Sequence, residues 1–153
     1  MINLRKNQEG FTLVELLVVI AIIGLLSTLA FVSLNSARQK ARDAIRLNDM
    51  NNMLKAIAFF YNDKNESYPD ASSCGGFCVS TQRVDWIPGL DTYLETDLPL
   101  DPLSPDNNHP YIYSTSLGGL PASPYYLCFV AEGEVSGDQL YNVSGDLYCT
   151  GEF

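Results

Sequence analysis

Gly10 to Val32 reads Gly-Phe-Thr-Leu-Val-Glu-Leu-Leu-Val-Val-Ile-Ala-Ile-Ile-Gly-Leu-Leu-Ser-Thr-Leu-Ala-Phe-Val, the one segment of the 153-residue chain apolar and long enough to cross a membrane. From Phe11 to Val32 a helix rising ~1.5 Å per residue covers about 33 Å, close to the ~30 Å hydrocarbon layer of a bilayer. One residue is out of place. A carboxylate such as Glu15 costs on the order of 2.5–3.5 kcal/mol within a bilayer even on permissive scales. It therefore either reaches the headgroups or meets a positive charge supplied by another molecule.

Before this stretch, Arg5 and Lys6 oppose Glu9, and positive charge ahead of a span holds that end in the cytoplasm. The remainder of the chain then faces outward. An ordinary secretory signal cut after a small residue such as Ala30 is the competing reading. It fits less well, because the helical pattern continues past Ala30 and a signal core would not carry Glu15.

A short basic leader, the Gly10-Phe11 junction, Thr12-Leu13, Glu15 and an unbroken Leu/Val/Ile run resemble the amino-terminal signature of type IV pilins and of the pseudopilins of type II secretion. The resemblance implies that a membrane peptidase cuts between Gly10 and Phe11 and methylates the new Phe11 amine. Glu15 of one subunit would then neutralise the Phe11 amine of a neighbour in a filament. The physics agrees, since a buried carboxylate is tolerable when paired and costly when alone. Removing Arg5, Lys6 and Glu9 takes the net charge from −9 to −10.

Beyond the span, apolar or small residues recur at Ala37, Ala41, Ala44/Ile45, Leu47, Met50, Leu54, Ile57/Ala58 and Tyr61, steps of three and four that mark one face of an amphipathic helix. No proline occurs between Met1 and Tyr68, so one nearly continuous helix is expected from Phe11 to about Tyr61. Gly24 is its weak point, at roughly 1 kcal/mol against alanine. Related pilins extend the chain near this place on assembly, but the proline that usually follows is missing here. Arg38, Lys40, Arg42 and Arg46 form a basic cluster, read either as a solvated face supported by Asp43 and Asp49 or as a contact for anionic headgroups or acidic neighbouring heads.

The stretch Asn62 to Pro69 is polar and turn-forming, and Pro69 biases Tyr68 away from helix. Residues 70–110 show no sustained periodicity, although Trp86 to Leu94 suits a short helical turn and Leu98-Pro99-Leu100-Asp101-Pro102 an extended connector. Tyr111–Thr115, Tyr125–Ala131, Gln139–Val143 and Leu147–Cys149 read as strands of an antiparallel sheet. The expected fold is α+β and pilin-like, with a long amino-terminal helix packed on a small antiparallel sheet. Its parts are a leader over 1–10, a transmembrane and polymerisation helix over 11–32, an amphipathic helix over 33–62 and a globular head over 63–153. The Asn-rich helix exit, the Leu-Pro-x-Asp-Pro connector and Tyr-x-Tyr also resemble G-type pseudopilins. Val135-Ser136-Gly137-Asp138 recurs as Val143-Ser144-Gly145-Asp146, read as two successive reversals of a meander.

Cys74, Cys78, Cys128 and Cys149 all lie in the outward-facing part, where disulfides form. Three pairings are possible. Cys74 with Cys78 and Cys128 with Cys149 is favoured, because Gly75-Gly76 permits a tight loop and the second pair can staple the terminal strands. Zinc is the weaker alternative, since the second pair is widely spaced. After Lys64 come 13 acidic residues and a single basic one, Arg83, a balance that repels nucleic acid. The resemblance to G-type pseudopilins raises calcium near Asp138 and Asp146, but no EF-hand pattern is present and no cofactor is expected.

Catalysis has little support. His109 is the sole histidine, and neither a nucleophile elbow nor a phosphate loop occurs. Asn65-Glu66-Ser67 and Asn142-Val143-Ser144 match the glycosylation sequon, a triplet that arises often by chance. The expectation is a subunit stored in the inner membrane, amino terminus inside and head outside, whose partners are its own copies, minor pilins, a prepilin peptidase and methylase, an inner-membrane assembly platform and lipid. A monomeric binding domain merely tethered by Phe11 to Val32 is the alternative.

Overall fold

With no proline to interrupt it, helix α1 runs without a break from Leu13 to Asp63 in the computed structural model, which describes residues 10–81, 85–104, 109–117, 123–136 and 140–151. It stops where Asn65 and Glu66 turn left-handed, at φ 53° and 59°. There the Glu66 N–H donates to the Tyr61 carbonyl at 3.0 Å, which satisfies a helix-end acceptor. Five strands follow: β1 Phe77–Val79, β2 Ile112–Ser114, β3 Tyr126–Val130, β4 Tyr141–Ser144 and β5 Leu147–Gly151. They form one sheet ordered β1-β2-β3-β5-β4 with every neighbouring pair antiparallel. The protein is thus α+β.

Contacts divide the chain into two compact units, residues 1–38 and 39–153. In the first, the described helix is exposed throughout, and it contains the one described segment long and apolar enough to span a membrane. The hydroxyls of Ser27 and Thr28, within the apolar run, need no outside partner. Ser27 donates to the Ile23 carbonyl at 2.7 Å and Thr28 to the Leu25 carbonyl at 2.8 Å, which leaves both compatible with lipid. The helix passes through Gly24 intact.

In the second unit, Met50, Met53, Ala56 and Ile57 of α1 share a core with Tyr113, Leu127, Phe129 and Tyr148 of the sheet and with Trp86, Ile87 and Leu90 of the connector. Strand alternation distributes the rest. Leu127 and Phe129 join that core, whereas Tyr126, Cys128 and Cys149 form a second cluster with Ile112, Val143 and Leu147. The buried face of the helix differs from the expected one: Ala41, Ala44, Ile45 and Ala58 are exposed, while Asp43, Arg46, Met53 and Ala56 are buried. Hydrophobic periodicity cannot signal Asp43 and Arg46, which are buried by ion pairing, while Met53 and Ala56 join the apolar core one step from the expected Leu54 and Ile57.

The repeat also needs correcting. Gly145, at φ 58°, opens the two-residue turn of a β4–β5 hairpin, but β5 lies between β3 and β4. The chain after β3 therefore passes to the sheet edge before returning, so the two Val-Ser-Gly-Asp segments are not successive meander turns. Part of the first falls outside the described residues. Strand β1 has no legible signal, being three residues that straddle the end of the Cys74–Cys78 loop.

Both favoured disulfides form, Cys74–Cys78 and Cys128–Cys149. Cys128 and Cys149 are directly opposed across β3 and β5. Closing their loop restricts the unfolded chain, so the Cys128→Ala/Cys149→Ala double variant is expected to lose roughly 3 kcal/mol. Denaturant unfolding followed through Trp86, the sole tryptophan, measures it, and a loss well under 1 kcal/mol would contradict the staple.

Candidate assembly site

Thr12-Leu13-Val14-Glu15 begins α1 with a reciprocal cap. The Thr12 N–H and hydroxyl both donate to Glu15 Oε2 at 2.8 Å, and the Glu15 N–H donates to Thr12 Oγ1 at 3.2 Å. This is the capping box, in which side chains satisfy two of the first turn's orphan N–H groups. Glu15 is thereby held in the first turn on an exposed surface. Thr12 thus has a capping role besides its place in the signature, and Thr-x-x-Glu before an apolar run is its signal. Phe11 precedes the helix and is 81% exposed, and Gly10 is exposed beside it. The structure thus places the Gly10-Phe11 junction and Glu15 within about one turn of chain, with both accessible.

A second constellation sits in the head. Arg46 has no exposed surface and grips Asp101 with two bonds, Nε to Oδ2 at 2.6 Å and Nη2 to Oδ1 at 3.0 Å. Its Nη1 donates to Asp43 Oδ1 at 2.6 Å and to Glu132 Oε1 at 3.0 Å. Arg42 forks onto the same Glu132 through Nε and Nη2, and the Glu132 N–H donates to Asp43 Oδ1 at 3.0 Å. One helix turn is thus tied to the connector at Asp101 and to the segment after β3 at Glu132. Asp101 also accepts the Leu103 N–H at 2.8 Å, which shapes the connector's turn.

Electrostatics follow from this geometry. Burial opposes the Arg46 charge, but its hydrogen bonds to Asp101, Asp43 and Glu132 outweigh it and hold the guanidinium pKa above its ordinary value. Hydrogen bonding to Arg42, against the smaller opposing effect of burial and with help from Arg46, lowers Glu132 to about 2. The expected basic face therefore needs correction: Arg42 and Arg46 are spent inside the head, while Arg38 and Lys40 stay exposed.

The remaining sequence candidates are dispersed. Asp146 is exposed in the β4–β5 turn, where its carbonyl accepts the Ala131 N–H at 2.8 Å. Asp138 and leader residues 1–9 lie outside the described residues. Among the described residues no group of three His, Cys, Asp or Glu side chains is placed to hold a metal ion.

The family model for the prokaryotic N-terminal methylation motif matches residues 5–31. Over 128 residues the chain is 29% identical to the type II secretion system core protein G of Pseudomonas aeruginosa, covering 75% of this chain and 87% of that protein. It is 38% identical over 60 residues to the type IV wide pilus major component PilA4 of Thermus thermophilus, 39% of this chain and 46% of the relative. It is 36% identical over 75 residues to the type IV major fimbrial protein FimA of Dichelobacter nodosus, 48% and 46% of the two chains. The chain thus spans about half the length of these two pilins. No solved structure matches it significantly.

Proposed function

We propose that this chain, a relative of the type IV pilins and of type II secretion core protein G, is a structural subunit that is stored in the membrane as a precursor and polymerised through α1 into an extracytoplasmic filament. A membrane peptidase cuts between Gly10 and Phe11 and the same system methylates the Phe11 amine. Copies of the chain, minor pilins and an inner-membrane assembly platform are its partners. Glu15 is the observation that carries this reading. An acid one helical turn from the Phe11 junction, exposed on this helix, is open to the Phe11 amine of a neighbouring copy, a use in a polymer beyond the local cap that it makes with Thr12.

The secretion pseudopilus is the preferred member of this class, because similarity to core protein G extends over 87% of that protein whereas the pilin matches stop near half. A type IV pilus subunit is the second reading. Processing is the test. Mass spectrometry of membrane-extracted protein is expected to find a chain beginning at N-methylated Phe11. An intact Met1 start, or a cut near Ala30, would overturn it.

A further inference from the structure

The head carries a groove of about 340 Å³ between the outer part of α1 and the connector. Ala56 and Phe59 wall one side, and Asp49, Glu95 and Asp97 surround it against a single lining cation, Lys55. Phe59 is 64% exposed and presents its ring to the groove. The groove combines an aromatic surface with an excess of carboxylate. That chemistry takes an alkylammonium or guanidinium group, whose charge meets the carboxylates while its stem or cationic end lies on the ring.

The same chain supplies such a group. Arg42 and Arg46 are engaged within the head and Lys64 lies 3.4 Å from Asp63. Arg38 belongs to the first unit and Lys55 lines the groove itself, so among the described cations of the second unit Lys40 is the one that is exposed, lies outside the groove and makes no described ion pair. It cannot serve its own groove. Between Lys40 and Ala56 the helix turns through about 160° and rises about 24 Å, so the two patches lie on opposite flanks and at different heights. Charge balance points the same way: subunits of net charge −10 after processing repel when packed side by side unless acid on one meets base on the next.

We propose that the groove formed by Asp49, Phe59, Glu95 and Asp97 is the docking site for Lys40 of a second copy of this chain. The inference rests on the filament reading above and names one of its contacts. Subunits stored in one membrane share an orientation, and the two patches differ in height by about 24 Å, so their contact carries an axial rise and stays open. It extends a filament and does not close a dimer.

Charge exchange in the full-length chain tests it, with filament yield read by electron microscopy of sheared cells at matched protein level. Lys40→Glu alone and Glu95→Lys alone are each expected to cut yield about tenfold or more, as like charges then face each other across the contact. Lys40→Glu combined with Glu95→Lys is expected to restore it. Combining Lys40→Glu with Glu134→Lys returns the same net charge at an exposed acid that does not line the groove, and is expected to leave yield low. Native yield from both single variants, no recovery in the exchanged pair, or equal recovery with Glu134→Lys would each overturn the docking site while native filaments still form. Absence of filaments from the native chain would instead remove the filament reading, and this contact with it.

Discussion

Cells carrying Glu15→Gln are expected to insert the protein and cut it after Gly10, yet to yield few or no filaments. The substitution isolates charge from structure. Glutamine keeps a side-chain oxygen that can accept from the Thr12 N–H, so the reciprocal cap seen at the start of α1 survives. It cannot neutralise the Phe11 amine of a neighbour in an apolar filament core. Leaving one side of a buried pair unmatched costs about 3–5 kcal/mol, which lowers the association constant at each joint by on the order of a hundredfold or more. The check is filament counts in sheared preparations at matched subunit level. Native counts would return Glu15 to a headgroup contact and revive the tether reading.

The second large effect is expected at Arg46→Met, which keeps the length and volume of the helix face but removes its charge. Asp43, Asp101 and Glu132 converge on Arg46, and Asp43 and Asp101 are buried. Without the guanidinium, Asp101 loses both of its arginine bonds and only Arg42 remains to offset the group. Breaking a buried ionic cluster by removing one partner costs about 3–5 kcal/mol. Denaturant unfolding of the detergent-solubilised chain, read through Trp86, measures the loss. Arg38→Ala, on an exposed stretch of the same helix, is expected to shift stability by no more than about 0.5 kcal/mol. A loss under 1 kcal/mol at Arg46 would mean that the cluster holds the head together far less than its burial implies.

Arg46 also marks the boundary of what could be read from the sequence. The length of α1, its start beside Glu15 and its stop before Pro69 are written in local chemistry: an apolar run, an absence of proline and a polar exit. Strands β2 to β5 announce themselves through aromatic and branched residues between Gly, Pro and Asp. The Gly10-Phe11 junction and Glu15 are equally legible, since they lie close together in the chain and one motif contains them. Arg46 is different. Its partners Asp101 and Glu132 lie far along the sequence, and an arginine four residues before Met50 looks like surface until the fold brings those carboxylates to it. Strand order was hidden for the same reason, because insertion of β5 between β3 and β4 depends on long-range pairing that the turn residues do not encode. Thr12 is a plainer case, a cap whose Thr-x-x-Glu spacing was visible and not used.

The central claim is that the chain is a polymerising subunit and not a tethered monomer. Electron microscopy of the sheared extracellular fraction from cells producing the native chain, with mass spectrometry of the protein in that fraction, tests it most directly. The account predicts filaments whose principal polypeptide starts at N-methylated Phe11 and contains both disulfides. Recovery of the chain solely in the membrane fraction, as a monomer and with no filaments in the sheared material, would contradict it.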